Sequence, residues 1–137
     1  RELSELAREL EWAEGQCMSL PLRQNEGPGN ALLATLRYER AVEVICELGE
    51  RAVSSEVIAR RLAAQVRAYQ HRTAPIGAHL ADQLMLLLAV SVGGKYAVTD
   101  VTEHARTNAK VIERFLPVMV SIDEYADGTG MVTVANA

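Results

Sequence analysis

The stretch from Asp100 to Pro117, DVTEHARTNAKVIERFLP, constrains this chain more than any other. It sets a histidine at a loop-to-helix junction, continues as a helix, and stops at a proline. Proline has no N–H to extend the ladder and clashes with the preceding turn. Upstream, Gly77 to Leu88 reads GAHLADQLMLLL, a helix pattern apolar on most of its circumference with one polar patch. The two helices are expected to pack beside each other. The Gly77 helix is predicted to run to about Val92, where Gly93-Gly94 supplies a C-terminal stop. Lys95 to Thr99 reads as a strand and Asp100 to Arg106 as a loop, with Thr107 as the cap of the next helix. Val118 to Glu124 and Met131 to Val134 read as strands joined through Asp127-Gly128-Thr129-Gly130, which has hairpin-turn chemistry. The second half therefore reads helix, strand, helix, strand, strand.

The first half is a different arrangement. Leu3, Leu6, Ala7, Leu10 and Ala13 recur at helical spacing, so Glu2 to Glu14 is predicted helical and ended by Gly15. Gln16 to Leu22 reads as a weak edge strand with Pro21 near its end. Gln24 to Gly29 reads as a loop. In Asn30 to Glu39, Leu32, Ala34, Leu36 and Tyr38 share one face. Val42, Val44, Cys46 and Leu48 alternate likewise against Glu43, Ile45 and Glu47. These two runs, broken at Arg40-Ala41, predict an antiparallel pair. Ser54 is a candidate N-cap for a helix whose buried stripe is Ile58, Leu62, Val66 and Tyr69. This half reads helix, strand, strand, strand, helix. Thr73-Ala74-Pro75 then breaks the chain. The class is α/β (α+β), in two small units, 1–72 and 73–137.

Hydrophobic residues at 49% and charged residues at 23% give a normal globular balance, while aromatics at 4% leave packing to Leu, Val, Ile and Ala. A net charge of -4 argues against a free-standing nucleic-acid binder, but not against an enzyme that grips nucleic acid with a few arginines. Cys17 and Cys46 lack metal-type spacing and read as two reduced, mostly buried thiols, which favours the cytoplasm. The nearly uncharged run Leu84 to Gly94 is too short to span a bilayer. The chain begins at Arg1 directly in a helical pattern, which points to a fragment or a processed product.

Among candidate chemical groups, His104 stands first. At a helix start, the positive end of the dipole disfavours imidazolium, and free N–H groups attract phosphate oxygens. A neutral imidazole there suits attack on phosphorus. On spacing alone, the reading as an ordinary surface histidine near a cap ranks ahead. His79, Asp82 and Gln83 stand at i, i+3 and i+4 and share a helix face. Asp82 alone is equally readable as a carboxylate favouring the helix N-terminus. Arg60, Arg61, Arg67 and Arg72 are available to phosphates, but the solvated face of an amphipathic helix accounts for them better. Gly27-Pro28-Gly29 lacks the pattern of a phosphate loop and reads as a turn.

The segments GPGN (Gly27 to Asn30), GERAVSSEV (Gly49 to Val57), GAHLADQL (Gly77 to Leu84) and ERFLP (Glu113 to Pro117) occur in an order that resembles the C-terminal side of RNA 3'-terminal phosphate cyclases. The resemblance implies a protein of three small α/β plait repeats plus an inserted domain. Residues 1–72 would be most of that insert, and 73–137 the end of the last repeat. It implies ATP-dependent conversion of an RNA 3'-terminal phosphate to a 2',3'-cyclic phosphodiester, a ligase reaction. The alternative is a non-catalytic relative acting in RNA processing or ribosome assembly. His104 matches the family's nucleophile, which becomes adenylylated. His79, Leu80, Ala81, Asp82 and Gln83 match its ATP-contacting segment, where Asp82 would help hold the nucleotide or its Mg2+ or another divalent cation. The partners implied are RNA 3'-phosphate ends and the family's N-terminal repeats. Without those repeats the fragment is expected to be inactive and to self-associate through exposed apolar surface. Two departures stand out. His79 occupies a position where the family usually has tyrosine. Asp100, Val101, Thr102 and Glu103 replace a His-Pro-Ser pattern, and the acids at 100 and 103 are expected to favour protonation of His104.

Overall fold

The computed structural model describes residues 1–21, 29–39 and 41–136. Most of the loop expected from Gln24, with its Gly27-Pro28, lies outside the described residues, as does Arg40. The chain forms two compact units, Arg1–His71 and Arg72–Ala137. Both are mixed helix and antiparallel sheet, an α+β arrangement.

The first unit comprises α1 (Glu2–Leu10), a 3-10 turn (Glu14–Gln16), β1 (Ala31–Arg37), β2 (Val42–Leu48) and α2 (Ser55–Gln70). Helix α1 ends earlier than its periodicity suggests. Glu11 turns left-handed at φ 55°, and the Trp12 N–H donates to the Ala7 carbonyl at 2.9 Å. This Schellman-type closure brings Trp12 back onto the core beside Leu3 and Leu10. The expected strand at Gln16–Leu22 is absent from its described residues. The Gln16 side chain instead accepts from the Ala13 N–H at 2.9 Å and pulls Glu14–Gln16 into a tight turn. Pro21 removes a ladder donor, and among the described residues β1 pairs only with β2.

The β1–β2 register decides which face of the hairpin is buried. Leu32, Ala34 and Leu36 face inward opposite Glu47, Ile45 and Glu43. Directly opposed residues share a face, so β2 turns its polar set inward and leaves Val42, Val44, Cys46 and Leu48 outside. Glu47 meets α2 there, accepting from Gln65 Nε2 at 2.7 Å and lying 3.7 Å from Arg61. Cys17 is half-buried and Cys46 exposed, so the expectation of mostly buried thiols fails for Cys46; both are free. Helix α2 follows Ser54, as its spacing predicts, and closes the core with Ile58, Leu62 and Val66, all at or below 1% exposure.

The second unit comprises α3 (Ala78–Ala89), β3 (Gly94–Val98), α4 (Glu103–Phe115), β4 (Val118–Glu124) and β5 (Gly130–Asn136). The sheet order is β3-β5-β4, all antiparallel. Met85 from α3, Ile112 from α4, and Val98, Val132 and Val134 from the sheet share one core. The cap of helix α4 lies five residues before the expected one. The Thr102 hydroxyl, not that of Thr107, accepts from the Ala105 N–H at 3.0 Å. Leu116 is extended at φ -124° and ψ 145°, the conformation that a following proline imposes. No helix among the described residues is long and apolar enough to cross a membrane.

Candidate active site

Capping by Thr102 puts His104 at the second position of α4, in its first turn. Its imidazole is 80% exposed, and its Nε2 lies 3.4 Å from Oδ2 of Asp82, a carboxylate only 18% exposed. The sequence separates these residues widely; the packing of α4 on α3 joins them. The other carboxylate oxygen, Oδ1, is buried and has no hydrogen-bond partner among the described residues. An orphaned buried acceptor costs about 1–3 kcal/mol. The carboxylate is thus held inward beside a solvent-facing imidazole, with an acceptor to spare.

The rest of the candidate segment divides by helix face. His79 and Gln83 are exposed, Leu80 is half-buried, and Ala81 is buried in the core at 1% exposure. Ala81 contributes its main chain: Tyr96 Oη on β3 donates to the Ala81 carbonyl at 2.6 Å. Asn108 Nδ2 donates to the Asp82 carbonyl at 3.2 Å. Neither residue figures in the sequence reading. Asn108 had a signal, since it stands one helical turn after His104; Tyr96 had none. Burial, with the Asp82 charge adding to it, pushes the Tyr96 phenol up to about 12. The neutral phenol is therefore favoured in the fold. Its contribution to stability is complete below pH 10 and is lost as pH rises toward 12. Tyr96→Phe is expected to cost about 1 kcal/mol at neutral pH. It should also flatten the alkaline fall in stability, as read by denaturant melts across that range.

The acids flanking His104 have partners of their own. Asp100 accepts from Arg72 Nη2 at 2.9 Å, and Glu103 lies 3.3 Å from Arg106 Nε. Arg106 also bonds Glu124 on β4. Each carboxylate thus faces a guanidinium. Arg72 Nη1 also donates to the Asp127 carbonyl at 2.8 Å, tying the loop before α4 to the β4–β5 turn. In that turn the Thr129 hydroxyl, then its N–H, hold the Asp127 carboxylate below the usual range.

The α2 arginines are engaged within the first unit. Arg61 pairs with Glu50 and Arg67 with Glu9, while Arg60 bonds the Glu56 carbonyl of its own helix. His71 is exposed at the end of α2. Glu113 accepts from the Val120 N–H at 2.8 Å, a structural contact. Among the described residues, no three of His, Cys, Asp and Glu converge as a metal site.

The model of the family described as RNA 3'-terminal phosphate cyclase matches residues 10–122. Three proteins from strains of Pseudomonas aeruginosa, each named RNA 3'-terminal phosphate cyclase, are 35% identical over 130 residues. The match covers 95% of this chain and 38% of each relative, so the chain spans well under half the length of the curated relatives it matches. A match running from α1 into β4, through the whole segment that carries Asp82 and His104, places this chain in the RNA 3'-terminal phosphate cyclase family.

Proposed function

We propose that this chain supplies the nucleophile for ATP-dependent cyclisation of RNA 3'-phosphate ends. The observation that carries the reading is the pairing of an exposed His104 with the inward-held Asp82. In the proposed reaction, the unprotonated ring nitrogen of His104 attacks the α-phosphorus of ATP. A P–N bond forms, the P–O bond to pyrophosphate breaks, and pyrophosphate leaves. The His104–AMP bond then breaks as AMP passes to an oxygen of the RNA 3'-phosphate. The neighbouring 2'-hydroxyl attacks that phosphorus, loses its proton to solvent, and displaces AMP. The family name of the relatives supports the cyclised product.

The residues present suit a nucleotide with its divalent cation. Such a cation needs only one or two protein carboxylates when phosphates complete its shell, and Asp82, whose Oδ2 faces the exposed His104, offers one. When bound, the cation would offset phosphate charge at the site of attack. His79 and Gln83, exposed on the same helix, would flank the nucleotide. Two free thiols suit a reducing compartment such as the cytoplasm.

The test is to incubate the full gene product with α-labelled ATP. A protein-bound AMP that survives alkali and is released by acid is expected. Absence of any protein-bound label would overturn the reading in favour of a non-catalytic role in RNA processing or ribosome assembly.

A further inference from the structure

We propose that Asn108 is a positioning residue that sets the register of His104 against Asp82; its catalytic consequence rests on the adenylyl-transfer reading above. Asn108 and His104 lie on one face of α4, a turn apart. They reach the same residue of α3 in two ways. Asn108 Nδ2 donates to the Asp82 carbonyl at 3.2 Å, and His104 Nε2 faces the Asp82 carboxylate at 3.4 Å. Ala81 on α3 and Ala105 and Ala109 on α4 are buried in the core that these helices share, together with the larger Met85 and Ile112. Apolar burial is non-directional and defines the fine axial register of two helices less sharply than a hydrogen bond does. A hydrogen bond to a carbonyl is directional and supplies the missing register.

The Asp82 carbonyl does not need Asn108 to be satisfied, because a mid-helix carbonyl already accepts from the N–H four residues on. The tie therefore adds placement more than it repairs a deficit. The buried orphaned Oδ1 shows that the carboxylate has not rotated out to solvent, which a loosely registered helix pair would permit. On the other side of α3, Tyr96 holds the preceding carbonyl, that of Ala81, to the sheet. Sheet, α3 and α4 are thus linked in series through adjacent peptide groups, and the imidazole stands at the end of that series.

The experiment compares Asn108→Asp, which keeps the shape and removes the donor, with Asn108→Ala, which removes the side chain without adding charge. Both are made in the full gene product. Single-turnover AMP labelling at saturating ATP is expected to slow by about 10–100-fold, since a displacement near 1 Å can cost that much. The ATP concentration giving half-maximal rate should stay within about twofold, because placement of the nucleophile, not nucleotide binding, is altered. In nitrogen-labelled histidine spectra, assigned with His104→Ala, the His104 ring signals should move in both variants toward those of Asp82→Asn. Unmoved His104 signals, or labelling within about twofold of the parent in both variants, would overturn the proposal. So would slowed labelling that is wholly explained by a lowered melting temperature. If the parent takes up no AMP, the transfer reading fails, and the ring signals alone then decide whether Asn108 positions His104.

Discussion

His104→Ala is expected to reduce protein-bound AMP by about a thousandfold or more, to the limit of detection, while leaving the fold intact. Loss of a covalent nucleophile removes the bond that the intermediate requires, and such losses are among the largest single-residue effects known. The stability change should be small, within about 0.5 kcal/mol, because the side chain is 80% exposed and Thr102, not His104, caps α4. The measurement pairs label retention with a denaturant melt. Full label in a folded variant would place the nucleophile on another residue. A variant that loses label together with its melting transition would make His104 structural. The geometry of its contact sharpens the contrast. At 3.4 Å and with the imidazole 80% exposed, the contact with Asp82 contributes little to stability, so a loss of label cannot be attributed to loss of that contact's energy.

The second large effect concerns the junction of α3 and β3. Gly93 has φ 75°, and a Cβ built there would lie 2.5 Å from the Val134 carbonyl oxygen. Val134 belongs to the central strand and pairs with Gly94, so that carbonyl has little room to yield. Gly93→Ala combines left-handed backbone strain of about 1–2 kcal/mol with a backbone clash of similar size, roughly 2–4 kcal/mol together. Against a domain stability of about 5–15 kcal/mol, that is a large fraction. Gly128→Ala is the control: its φ is 82°, but a Cβ there meets nothing within 4 Å. It should show the backbone strain alone. Denaturant midpoints, with amide exchange in β3 and β5, would read the difference. Equal costs at the two positions would mean that the approach of Val134 does not govern Gly93.

Where a feature of this chain depends on neighbours in sequence, it was readable in advance. The stop of α4 at Pro117, the turn at Asp127–Gly130, the stripe of Ile58, Leu62 and Val66 on α2 and the shared face of Leu32, Ala34 and Leu36 on β1 all rest on local chemistry or on a short period. Helix α3 stops at Ala89, short of the expected Val92, and two other misplaced ends show the complementary case. Helix α1 closes at Glu11 because Trp12 has a core to return to, which no window of periodicity contains. Helix α4 begins at Thr102 because the preceding loop is held by Arg72 and by the Val101 N–H bonding the Gly128 carbonyl. Thr107 has equal capping chemistry but stands inside the helix so formed.

The candidate site divides in the same way. Sequence alone determined that a histidine would stand near the start of α4, and that Asp82 would share a helix face with His79 and Gln83, because helical spacing depends only on position along the chain. Tertiary structure decided that β2 shows its apolar set to solvent, because strand register couples each of its residues to a partner on β1. It also decided that Asp82 is drawn inward beside His104 and that Asn108 and Tyr96 grip the adjoining carbonyls. Those contacts join separate elements, and their geometry follows from how two helices and a sheet settle against one core.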